Sequence, residues 1–378
     1  MTASVNRSGR TEQLGLDHVV MQRDDRLSGR DPAIDRLRGL CLVSMTFGHL
    51  TVSGRGSSVV NRVLHAPGWV SGAAGFVFLS GVSVGLLWRS KGGFGPAVKQ
   101  WTIMRAIVLA MVHLLLNIGV IAWSEVVHDT WWVPAIRPSL ADLALGAWMI
   151  PFGDVLPMYV VFLLAAVVLG PWVGRWSRLV LAGSAAVYLL GLALPSFGPM
   201  RTPGDVRWDL FTWQLIFVAG LVGGTQWPTV RRTIEDRRAL VIAAGLASLG
   251  AIVVLHTVFA LAERGASWSR PGWRETFESA WLDKVSMQPG RLLLVFTLGP
   301  FVYWVCTRRL PFDQWLQRAG SRSLRVYTLS TLACLVPPLA GALPTTPIGN
   351  DTLVAVLTIA TLASAVPATR WRGRPWSF

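Results

Sequence analysis

The chain has 378 residues and a net charge of +15, yet only 15% of its residues are charged and 52% are apolar. The apolar residues gather in blocks of about 17 to 24 between short charged loops, which excludes an ordinary soluble core and reads as membrane-spanning helix. The basic excess does not read as a nucleic-acid footprint, because it follows the loops in alternation rather than clustering in one patch.

Residues 1–30 are polar and Arg-rich, lack an apolar h-region, and read as a disordered cytoplasmic tail rather than a cleavable signal. Apolar blocks follow at roughly 38–53, 69–88, 102–123, 155–173, 179–195, 210–227, 239–261, 291–307, 324–342 and 352–368, or about ten spans. The sequence therefore predicts one all-α, polytopic membrane bundle over 31–370, followed by a short cytoplasmic tail over 371–378. With the N-terminus inside, the inward segments hold 25 of the 35 Lys and Arg residues, which places both termini in the cytoplasm of a cell membrane.

The first block opens with Asp35-Arg36-Leu37-Arg38-Gly39-Leu40 and ends on His49. At 100° per residue the eleven steps from Arg38 to His49 come to three turns plus roughly 20°, so both side chains face one way, about 16 Å apart along the axis. Asp35 shares the stripe within about 40°. Ionisable groups are costly in lipid, so this stripe predicts the lining of a cavity. Arg36, beside Arg38, and Arg105, near the inner end of the third block, add cations suited to phosphates.

In the second block, Gly81-Val82-Ser83-Val84-Gly85 fits a nucleophile-elbow pattern. A strand-to-helix turn is missing, so the glycines read as a packing face. His113 and Asn117 share a face of the third block with no carboxylate or Cys to complete a metal site, and the remaining histidines lack ligand spacing. Cys41, Cys306 and Cys334 all lie inside spans, which excludes a disulfide framework. No metal is expected. The outward stretches 124–154 and 262–290 mix aromatics, carboxylates and Arg, a composition that suits a sugar as well as it suits an ordinary membrane-surface loop. Within 124–154, the piece from Leu140 to Phe152 is too short to cross and reads as re-entrant or interfacial.

Taken together, these residues resemble the OpgC family, within the broader acyltransferase-3-like membrane proteins. The resemblance runs in order through Asp35, Arg38-Gly39-Leu40 and His49, then Ser71-Gly72-Ala73-Ala74-Gly75-Phe76-Val77-Phe78-Leu79-Ser80-Gly81, and Asp154-Val155-Leu156-Pro157-Met158-Tyr159. It continues through Phe211-Thr212-Trp213-Gln214-Leu215-Ile216-Phe217, Asp283-Lys284 and Ser321-Arg322-Ser323-Leu324. Gly75 departs from the Glu that family members carry before Phe-Val-Phe. The resemblance implies transfer of an acyl group, succinyl or acetyl-like, from cytoplasmic acyl-CoA to a hydroxyl of an extracytoplasmic glycan. Arg38 and Asp35 would act with His49, which serves either as general base or as transient acyl carrier. Arg36 and Arg105 would hold the donor, and Ser80, Asp154, Trp213, Gln214, Asp283 and Lys284 the acceptor. Intramembrane Arg, Asp and His also suit a transporter or flippase for a lipid-linked product, although no paired halves are visible.

Overall fold

The computed structural model describes residues 31–53, 72–126, 139–144, 153–194, 200–201, 207–263, 277–283, 286–308, 312–334 and 347–365. The two tails and Lys284 lie outside the described residues. The described chain is helical: α1 Pro32–Ser53, α2 Gly72–Ser90, α3 Pro96–Val126, α4 Leu140–Ala144, α5 Val155–Val173, α6 Ser177–Ala193, α7 Leu210–Thr225, α8 Trp227–Asp236, α9 Arg238–Glu263, α10 Pro289–Cys306, α11 Asp313–Ser321, α12 Ser323–Ala333 and α13 Pro347–Ala365. The exceptions are a π-helical turn, Glu278–Leu282, and a two-residue antiparallel ladder pairing Met200–Arg201 with Arg207–Trp208.

The described parts of the ten apolar blocks fall on α1, α2, α3, α5, α6, α7, α9, α10, α12 and α13. Five helical stretches are long and apolar enough to cross a bilayer by themselves: Gly72–Ser90, Pro96–Trp123, Val155–Val173, Arg238–Leu261 and Pro289–Cys306. α6, α7 and Asp351–Ser364 are apolar but shorter. Large apolar side chains such as Leu115, Val168, Leu189 and Val253 stay exposed on α3, α5, α6 and α9, as a lipid-facing surface requires.

Glycine sets the tightest contact in the bundle. α2 and α7 run parallel, and Gly81 and Gly85 meet the backbone of Phe217, Leu221 and Thr225, while Gly220 and Gly224 meet that of Phe78 and Val82. A methyl group at Gly81 would overlap the Phe217 carbonyl, so the small-residue stripe that the spacing predicts is what lets these two helices touch. Ser83, the candidate elbow serine, donates to the Leu79 carbonyl of its own helix at 2.8 Å.

α1 is the hub. Its first turn is held by Asp31, whose Oδ1 accepts from the Ala33 N–H at 2.9 Å, with Pro32 in the position where a missing N–H costs nothing. The other carboxylate oxygen accepts from Trp227 Nε1 at 3.0 Å and from the Tyr303 hydroxyl at 2.9 Å, clasping α1 to α8 and α10. α11 crosses α1 where Gly39 meets the Leu316 backbone and Gly320 meets the Asp35 carbonyl. α2 lies antiparallel on α1, with Gly72 against Cys41 and Met45 and Phe76 beside Arg38.

These contacts fix depth. Basic residues gather at the end of the bundle where Arg89 of α2 donates to the Thr225 carbonyl of α7 at 3.4 Å. Arg38 lies level with Phe76, fourteen residues up α2 from Ser90, or about 21 Å of helix away from that basic end.

Candidate functional site

Along the α1 stripe, Arg38 and His49 are half-buried and Asp35 is buried. Leu42 and Met45, which lie between Arg38 and His49 on the same face, belong to the main core together with Phe76 and Tyr327. The stripe therefore faces protein and not lipid, as its charges demand. The space between the two groups is filled with packed side chains, not laid open as the cavity lining expected from the stripe alone.

Arg38 sits with its guanidinium carbon 5.8 Å from the centre of the Phe76 ring, a cation–π contact worth about 0.5–2 kcal/mol. Phe76 stacks on Tyr327, ring centres 6.3 Å apart. Tyr327 is fully buried, takes a hydrogen bond from the Val155 backbone and feels the charge of Asp154. Four segments thus converge: the Arg-Gly-Leu turn of α1, the Phe-Val-Phe block of α2, the entry to α5 and the middle of α12. Sequence reading had picked out Arg38 and Asp154 separately. It missed Tyr327, an aromatic residue inside an apolar block, which gives no signal of its own.

The remaining predicted residues are distributed more widely. Ser80 lies one turn below Phe76, fully buried, its hydroxyl without a hydrogen-bond partner among the described residues. Trp213 is wholly buried near the start of α7. Gln214 is engaged elsewhere: its Oε1 accepts from Ser184 Oγ at 2.6 Å, and its Nε2 donates to the Ser184 and Phe211 carbonyls at 2.7 and 3.0 Å. It ties α6 to α7 beside an apolar groove of about 320 Å³ lined by Val161, Phe162, Phe211 and Phe217. Arg36 bridges three helices, donating to the Cys306 carbonyl at 2.9 Å and pairing with Asp313 at 3.3 Å. Arg105 is half-buried on α3, a helix that packs chiefly on α5.

Asp283 belongs to a separate cluster at the foot of α10. It accepts from the Ser286 N–H at 2.9 Å and from its hydroxyl at 2.6 Å. Tyr188 of α6 donates to the Met287 carbonyl at 3.1 Å, and Arg291 Nε donates to the Leu282 carbonyl. Met287 takes a left-handed backbone, φ 42°, and is completely buried. On α3, His113 and Asn117 are both buried, and the Asn117 amide lies 3.1 Å from the imidazole Nδ1 and donates to the His113 carbonyl at 2.7 Å. Among the described residues, no three His, Cys, Asp or Glu side chains come together as metal ligands would.

Chemically, then, the structure offers a guanidinium deep in the bundle, backed by stacked aromatics and a buried carboxylate, with an imidazole three turns farther along the same helix. No curated protein and no solved structure shows a significant match to this chain. The family model described as OpgC protein does match, over residues 30–374. That stretch takes in α1 through α13 and every residue of the site, so the chain belongs to the OpgC family.

Proposed function

We propose that this protein is a membrane O-acyltransferase that moves a succinyl or similar acyl group from cytoplasmic acyl-CoA to a hydroxyl of an extracytoplasmic glycan. Family membership supports an acyltransferase-like role in glucan modification. The observation that carries the reading further is the α1 stripe itself: one rigid helix holds a cation and an imidazole, both turned into the bundle and about 16 Å apart. In this scheme Arg38 would hold the donor's phosphate end and His49 act at the thioester, with the Leu42 and Met45 side chains packed between them giving way to the pantetheine arm. The basic end of the bundle, which bears Arg89 and the arginines of α8, faces the cytoplasm in this reading. His49 then lies toward the outer surface, where a glycan arrives.

At that position the acceptor hydroxyl attacks the thioester carbonyl as His49 takes its proton. The new C–O bond forms, the C–S bond breaks, and the proton passes to the departing thiolate to give free coenzyme A. Taking the acyl group onto His49 first divides the same balance into two steps. Arg36 is already paired with Asp313, so donor binding falls to Arg38 and Arg105 in this scheme. Asp154 and Ser80 lie beside the Arg38 end, so in this scheme they stand on the donor side and away from the acceptor at His49.

The test is reconstitution of purified protein into liposomes with succinyl-CoA on one side and glucan on the other, read by mass spectrometry of the glucan. Wild-type protein adds the mass of a succinyl group, and His49→Ala lowers the rate by about 10² to 10⁴. Transfer by His49→Ala at the wild-type rate would overturn the assignment.

A further inference from the structure

α13 carries an inward-turned carboxylate at the start of its apolar stretch, Asp351–Ser364. Asp351 is only 9% exposed, and it falls on the face that also buries Val354, Thr358 and Leu362, while Val356 and Ile359 on the other side stay open. A charged residue turned into a transmembrane bundle calls for a partner of opposite sign at its own depth. The elements packed on α13 are α1 and α12.

Two chains of contact give that depth. α12 climbs in the same direction as α1, because it starts just after Gly320, which lies against Asp35 and Gly39 near the lower end of α1, and packs along α1 from there; its Tyr327 reaches Phe76. Arg325 of α12 donates to the Ser364 carbonyl of α13 at 3.5 Å, so the last turn of α13 lies level with the first turn of α12, and the two helices run in opposite directions. Counting from that level, Asp351 stands thirteen residues up α13, about 20 Å. His49 stands two residues of α12 plus eleven of α1 above it, the same thirteen residues and about 20 Å. No Lys, Arg or other His lies in α12 or α13 beyond Arg325, so among the described residues the basic group at that height on the neighbouring helices is His49.

We infer that Asp351 is the positioning carboxylate for His49. It fixes the imidazole's orientation and offsets the positive charge that develops as His49 takes the acceptor's proton. Serine hydrolases place an Asp behind their catalytic His for the same reason. The inference rests on the acyltransferase reading for its chemistry, but its geometry stands apart from that reading.

Two measurements separate the parts. In a background carrying Cys41→Ala, Cys306→Ala and Cys334→Ala, the double variant His49→Cys/Asp351→Cys is treated with a short methanethiosulfonate cross-linker. Linked peptides are expected by mass spectrometry, and their absence, with both cysteines labelled singly by the same reagent, overturns the placement whatever the protein's activity. In the liposome assay, Asp351→Asn is expected to lower kcat at least tenfold while KM for the glucan stays within twofold, with Asp351→Glu recovering part of the loss. A merely structural role predicts lost folded protein with unchanged kcat per folded molecule. A wild-type kcat for Asp351→Asn refutes the positioning role even where the cross-link forms. If His49→Ala is fully active, the acyltransferase reading falls and the cross-link still reports the pair.

Discussion

The clasp at Asp31 is the point where structure predicts most sharply. One carboxylate oxygen takes two donors, Trp227 Nε1 at 3.0 Å and the Tyr303 hydroxyl at 2.9 Å, and the other takes the Ala33 N–H at 2.9 Å. Hydrogen bonds to a charged group each contribute about 1.5–3 kcal/mol, and a buried donor stripped of its acceptor costs a further 1–3 kcal/mol. Tyr303→Phe removes one bond and leaves no orphan, so it should cost about 1.5–3 kcal/mol. Asp31→Asn keeps an acceptor oxygen but loses the charge, roughly halving both side-chain bonds. Asp31→Ala loses all three and strands the Trp227 and Tyr303 donors, giving the largest loss of the series. Reversible unfolding in bicelles, followed by a steric trap, measures each variant. A cycle of Asp31→Ala and Tyr303→Phe should return a coupling of at least about 1 kcal/mol. Because the clasp sets the height of α1, transfer activity per folded molecule should fall alongside stability. Additive single effects, or an Asp31→Ala variant as stable as wild type, would show that α1 is anchored some other way.

Gly81→Ala pushes a methyl group into the Phe217 carbonyl and should cost about 1–3 kcal/mol, measured in the same unfolding assay; a neutral result would mean that α2 and α7 are not locked at this contact. Gln214→Leu breaks the ties to Ser184 and Phe211 and should lower stability by a similar 1–3 kcal/mol with the glucan KM unchanged, whereas a tenfold rise in KM at unchanged stability would return Gln214 to the acceptor site. Asp209 caps α7, its Oδ1 accepting from Phe211 N–H at 2.9 Å, and burial raises its carboxyl above the ordinary range against the pull of those backbone bonds. Its folded form therefore binds the proton more tightly than its unfolded form, and stability falls as pH rises from the ordinary carboxylate value through the raised one. Asp209→Asn keeps a good cap and removes that penalty, so it should unfold at a higher temperature than wild type at neutral pH and at the same temperature below about pH 3; a constant difference across pH would refute the cause.

The resemblance read from ordered short motifs is the family that matches nearly the whole chain, and the described parts of the apolar blocks are essentially helical. The Gly81–Gly85 stripe was legible because spacing alone puts both on one face. Arg38 and His49 were legible for the same reason, since phase along one helix is arithmetic. What the sequence left open is everything that depends on which helices become neighbours and at what height. Gln214 and Trp213 adjoin in the chain, yet Gln214 ties α6 to α7 while Trp213 is sealed in the core. Arg36 and Arg38 read as one cationic mouth, but crossing α11 gives Arg36 to Asp313 while α2 gives Arg38 to Phe76.

Hydropathy and helical period are local quantities, so composition and phase alone determined that this chain is a bundle of apolar helices and that α1 carries a charged stripe. The offset between α1 and α2, which sets Arg38 about 21 Å from the basic end, arises from glycine-to-backbone contacts between segments far apart in the chain. So does the meeting of Tyr327 with Asp154. Such contacts form only when helices dock, and the energy that selects them belongs to pairs of surfaces, which no single segment of sequence contains.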